Sequence, residues 1–102
     1  MTRFGYTLMT EQSDPKSLVG YAVDAERRGF DFEVSSDHYS PWLVSQGQAG
    51  YAWSMLGAVA YATERVELMT YVTCPTIRYH PAVIAQKAAT MQILADGRFT
   101  LG

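Results

Sequence analysis

The sequence predicts an α/β fold of order β-α-β-α-β-α-β, the N-terminal part of a (β/α)8 barrel. Three observations carry this expectation. Strand-like runs begin near residues 3, 31, 66 and 98, so one strand-helix unit recurs about every 30 residues. Three junctions, ERRGFDFEV, TERVELMTY and ADGRFTLG, each pass from a charged helix end into a strand. Such an order calls for parallel strands joined by right-handed helical crossovers. The third observation separates the barrel from an open doubly wound sheet. Residues 9–14 read MTEQSD, without the G-x-G-x-x-G turn that a dinucleotide-binding sheet places after its first strand. Ionisable and aromatic groups instead follow several different strands, which is where barrels keep their chemistry.

The elements follow in chain order. Residues 3–9 (RFGYTLM) are aromatic and apolar and read as the first strand. Residues 10–14 are polar and form a loop. Asp14-Pro15 starts a helix, with an acid at the N-cap and proline at the first helical position. Leu18, Tyr21, Ala22 and Ala25 share one face of that helix, and Gly29 stops it. Residues 31–36 form the second strand, and a loop runs from residue 37 to about residue 50. Residues 51–63 form a second helix, with Trp53, Leu56, Gly57 and Ala60 on its packing face. Residues 66–72 (VELMTYV) form the third strand, broken by Cys74-Pro75-Thr76. Pro81 opens the third helix, whose face carries Ile84, Ala88, Met91 and Ala95. Gly97 ends it, and residues 99–101 begin a fourth strand.

A chain of 102 residues makes one small domain. A complete barrel needs about 250 residues. The expectation is therefore an N-terminal portion, residues 1–102, of a larger barrel. The less simple alternative is a half-barrel that closes its ring as a homodimer. The net charge is −2 and the basic residues are dispersed, which argues against nucleic acid as a partner. No apolar run approaches the roughly 20 residues that span a bilayer, and the start lacks the pattern of a signal peptide. With a single cysteine, Cys74, no internal disulfide can form. Together these features point to the cytoplasm.

The segment VSSDHYSPW holds the strongest chemical signal. Asp37 and His38 leave the second strand together, and Trp42 follows in the same loop. Histidine can give and take protons near neutrality, and a carboxylate beside it can orient it. The plain alternative is a solvated loop pair that caps the strand. The Trp42 indole can wall a site or donate its N–H, or it can simply fold onto the core. Glu11 stands in the loop after strand one, where only its position hints at function. Trp53 sits at helical spacing and reads as core. Cys74 has no cationic neighbour in sequence to favour a thiolate, so it reads as pocket wall. His80 reads as the cap of the third helix. With His38 and His80 the only histidines, a metal centre is not expected.

The stretches FGYTLMTEQ, VSSDHYSPW and TCPTIRYHPAVIAQKAATMQILADGRFTLG together span nearly the whole chain, from residue 4 to residue 102. Through them it resembles the luciferase-like flavin and deazaflavin oxidoreductases. It looks most like their coenzyme F420-dependent class related to glucose-6-phosphate dehydrogenase. The D-H-x-x-P-W loop and the P-T-x-R-Y-x-P-A-V-I-A-Q run are the specific parts. The resemblance implies a TIM barrel that binds F420 at its C-terminal mouth. It further implies that Asp37 contacts the deazaflavin and that His38 takes the hydroxyl proton as hydride leaves a carbinol carbon. Trp42 would stabilise charge or hold substrate, and Glu11 would join the proton relay. Tyr71-Val72 matches a cis peptide that supports the ring, and Cys74 matches a position lining the cofactor pocket. Tyr71 replaces a small residue of the sugar-phosphate enzyme and Cys74 a hydroxyl residue, so the implied small-molecule substrate need not be glucose 6-phosphate. The family's second acid and basic phosphate-binding residues fall beyond Gly102, so the chain alone is expected to be inactive. The alternatives are an FMN-dependent monooxygenase of the same superfamily and an inactive half-barrel assembly module.

Overall fold

The computed structural model describes residues 1–102. The elements are β1 (Gly5–Leu8), α1 (Pro15–Arg27), β2 (Phe32–Ser35), a 3-10 turn (Val44–Gln46), α2 (Ala52–Ala62), β3 (Glu67–Thr70), α3 (Pro75–Arg78), α4 (Pro81–Leu94) and β4 (Phe99–Thr100). All four strands are parallel and lie in the order β1-β2-β3-β4. This order decides the architecture. A doubly wound sheet must reverse its strand order at a switch point. Here every crossover steps the same way, so the sheet advances like the wall of a barrel. Each main helix packs on the next, α1 on α2 and α2 on α4.

Sequence signals set the helix boundaries. The Asp14 carboxylate accepts from Ser17 N at 3.0 Å, which caps α1 ahead of Pro15. Gly29 follows the helix with a φ of 93°, a conformation that side chains rarely adopt. His80 caps α4 as its position suggested, with Nδ1 accepting from Ala82 N at 3.2 Å. Three expectations need correction. The strands are shorter than read, because the ladder runs only from the Gly5/Phe32/Glu67 row to the Leu8/Ser35/Thr70 row. Residues 75–78 do more than break the third strand. Pro75 sits at the first position of a one-turn helix closed by Tyr79 N to Pro75 O at 3.3 Å. Tyr21 shares the helical period of α1 but is 46% exposed, whereas Leu18, Ala22 and Ala25 are buried.

Alternation along the strands divides the sheet into two faces. Leu8, Glu33, Ser35, Leu68, Thr70 and Phe99 are buried under the helices. They meet Leu18, Ala22, Trp53, Leu56, Val59, Ile84 and Met91 in the core, except that Glu33 brings a carboxyl into it. Thr7, Val34, Met69 and Thr100 point the other way. Two long-range polar clamps tie the units together. Glu26, at the end of α1, accepts from Arg65 N at 2.7 Å and Val66 N at 2.8 Å, just before β3. Arg98, just before β4, donates to Ala60 O at 3.0 Å, Thr63 O at 2.9 Å and Val66 O at 2.6 Å. It thereby satisfies carbonyls at the end of α2 that the helix leaves open. No helix is long and apolar enough to cross a membrane.

Candidate active site

Register brings the sequence-predicted groups together. Leu8, Ser35 and Thr70 form one row across the sheet. Glu11, His38 and Thr73 each stand three residues beyond that row. Turn bonds from Gln12 N and Ser13 N to Met9 O, at 3.1 and 3.3 Å, hold the β1 loop tight. Gln48 N binds Glu11 O at 3.2 Å and anchors the far end of the long loop there. Glu11 Oε1 then lies 2.7 Å from His38 Nδ1, with the glutamate side chain only 3% exposed. Its Oε2 is buried and has no partner.

Trp42 Nε1 approaches the same His38 Nδ1, at 3.1 Å. A ring nitrogen has one in-plane position, either a proton or a lone pair. It cannot donate to Glu11 and accept from Trp42 at once. The shorter contact to a buried carboxylate is the stronger one, and the Trp42 side chain is largely exposed. The arrangement therefore favours the proton on Nδ1 facing Glu11. Nε2 then keeps a lone pair, and the indole N–H is available to a ligand.

Asp37 has a different environment. Its side chain is completely buried and is ringed by donors from three parts of the chain. Trp53 Nε1 donates at 2.8 Å, Tyr79 OH at 3.0 Å, Arg78 Nη1 at 3.0 Å and Thr73 Oγ1 at 3.2 Å. Arg78 Nη1 also binds the Asp37 carbonyl. Burial and the adjacent Asp37 carboxylate push the Tyr79 hydroxyl up to about 12, so it stays a donor. With its carboxylate fully enclosed, Asp37 can meet a ligand only through its main chain. The side chain fixes the loop that carries His38 and Trp42.

An open cleft of about 350 Å3 lies against this loop, lined by Asp37, His38, Tyr39, Ser40, Pro41, Trp42 and Arg78. A larger groove of about 410 Å3 runs between α1 and α2, but it is apolar and holds no acid or histidine. Glu11, Asp37, His38 and Trp42 thus form one group. Tyr71, Val72 and Cys74 do not line its cleft. They sit on the exposed margin beyond β3, where the Tyr71–Val72 peptide is cis. The Cys74 thiol contacts only Thr76 Oγ1, at 3.7 Å. No group of three or more His, Cys, Asp or Glu converges as a metal site.

Sequence reasoning passed over Trp53, Thr73, Arg78 and Tyr79 as site residues. Trp53 does belong to the core by its ring, but its N–H reaches the functional loop. The R-Y pair at 78–79 was visible in a distinctive run. Nothing in its spacing points to a residue about 40 positions earlier.

The Luciferase-like monooxygenase family model matches residues 1–102. The chain is 51% identical over 102 residues to an F420-dependent glucose-6-phosphate dehydrogenase of Beutenbergia cavernae, covering 100% of this chain and 30% of that protein. It is 49% identical over 100 residues to the enzyme of the same name from Segniliparus rotundus, covering 98% of this chain and 30% of the relative. Among solved structures, an F420-dependent secondary alcohol dehydrogenase in complex with an F420-acetone adduct superposes with a TM-score of 0.93 at 38% identity. That match covers 98% of this chain and 30% of the other. The chain therefore spans about 30% of the length of these relatives. The parallel sheet, its helices and the matched residues place this chain in the luciferase-like monooxygenase family.

Proposed function

We propose that this chain supplies one side of the active site of an F420-dependent oxidoreductase that acts on a small alcohol or sugar-like substrate. The observation that carries the reading is the Glu11–His38 pair, 2.7 Å apart beside an open cleft. Glu11 holds the imidazole in the tautomer whose Nε2 can accept a hydroxyl proton. The Trp42 indole gives the cleft an aromatic wall and a single N–H donor. Relatives named as F420-dependent dehydrogenases support this chemistry.

The residues present fit a deazaflavin. A planar ring needs apolar surface and few polar contacts, and Trp42, Tyr71 and Val72 expose such surface at the strand ends. The main chain at Asp37 and the margin formed by Tyr71, Val72 and Cys74 would hold the cofactor. Bound there, a deazaflavin supplies a carbon that accepts or gives hydride. The chain's own residues orient the alcohol and take up one proton at His38 Nε2. The compartment we propose is the cytoplasm, and the assembly a homodimer.

Titration of the protein with F420 and with FMN tests this reading. Saturable F420 binding that weakens in His38→Ala and Trp42→Ala is the expected result. Tight FMN binding without F420 binding would assign the site to a flavin monooxygenase instead.

A further inference from the structure

Lys87 lies on α4, outside the group of Glu11, Asp37, His38 and Trp42, yet its ammonium is enclosed by three aromatic rings. Nζ stands 3.7 Å from the Tyr79 ring centroid, 4.5 Å from that of Tyr51 and 5.1 Å from that of Trp53. It is buried and makes no hydrogen bond. An ammonium without hydrogen bonds is costly to bury, and ring faces are the groups that compensate it here. Two of those rings do a second thing. Trp53 and Tyr79 each point their polar hydrogen at the Asp37 carboxylate, at 2.8 and 3.0 Å. The order is thus cation, aromatic ring, anion. A ring that donates to a carboxylate becomes richer in electrons, and its face attracts a cation more strongly.

The other charges around the cage are few. Arg78 lies 5.1 Å from the Tyr79 ring and is bound to Asp37, which offsets its repulsion of Lys87. Burial lowers the pKa of Lys87 below the usual lysine value, and the Asp37 carboxylate partly offsets this in favour of the charged form. The helical period explains the placement. Lys87 is three residues beyond buried Ile84 and four before buried Met91, so it faces the core side of α4 beside Trp53.

We propose that Lys87 is a positioning residue whose caged ammonium fixes the Trp53 and Tyr79 rings, and through them Asp37 and the loop bearing His38 and Trp42. As a role in catalysis this rests on the function proposed above. The positioning itself can be measured without any cofactor. The chain has two tryptophans, so its proton spectrum holds two indole N–H signals, which Trp53→Phe assigns. In Lys87→Met the Trp53 N–H is expected to exchange with solvent at least tenfold faster, while the protein keeps a cooperative melt. Lys87→Arg retains a cation over the rings and is expected to restore slow exchange. F420 binding is expected to weaken severalfold in Lys87→Met and to recover in Lys87→Arg. Unchanged exchange in Lys87→Met, or a loss that Lys87→Arg shares, would overturn the proposal. A protein that binds no F420 yet still shows the exchange pattern would overturn only the function proposed above.

Discussion

Glu33→Gln should stabilise this protein at neutral pH and leave it unchanged in acid. Glu33 lies on the helix-facing side of β2, is completely buried, and has no hydrogen-bond partner on either carboxyl oxygen. Burial, with a smaller push from Glu26 and a partial offset from Arg98, raises its pKa from 4.5 to about 8. The folded chain therefore holds a proton that the unfolded chain releases. Below pH 4.5 both states are protonated and the site has no effect. As pH rises, only the unfolded state ionises, and stability falls by about 1.4 kcal/mol per unit until the folded group titrates near 8. At pH 7 the deficit is about 3 kcal/mol. Glutamine keeps the shape and polarity of the protonated acid but has nothing to ionise. Urea unfolding of both proteins from pH 4 to pH 9 is the assay. The two curves should coincide at pH 4 and separate by about 3 kcal/mol at pH 7. Parallel curves across the range would show that Glu33 is not desolvated, and the reasoning would fail.

Two further outcomes follow from the site. Asp37→Asn removes the charge that faces Arg78 and sets an amide against four donors. It should cost about 3 kcal/mol in thermal or chemical unfolding, and a cost below about 0.5 kcal/mol would contradict the buried network. Glu11→Gln should leave the fold intact by circular dichroism. In a complete barrel that carries this chain, it should lower kcat of the F420-dependent reaction by roughly a hundredfold or more, because the imidazole loses the carboxylate that sets its tautomer. Equal turnover in the two proteins would remove Glu11 from the proton path.

Much of this molecule was legible in the chain. Helix starts at Asp14-Pro15 and His80-Pro81 depend on neighbours within three residues, and the structure keeps both. The strand-helix alternation likewise follows from local hydrophobic period, and right-handed crossovers leave few ways to arrange it. Glu11, His38 and Trp42 could be nominated because barrels place chemistry after their strands. Other features depended on contacts between distant segments. Asp37 draws its donors from residues 53, 73, 78 and 79, between 16 and 42 positions away. No local pattern encodes those distances, so only the packed fold shows that its carboxylate is enclosed and that Lys87 stands behind it. Tyr21 shares the period of a buried face and still meets solvent, because helical spacing sets direction but not what lies opposite. The opening β-α order and the capping residues were determined by the sequence itself. Which charges are buried, and which ring nitrogen faces which acid, was decided only when the strands came into register.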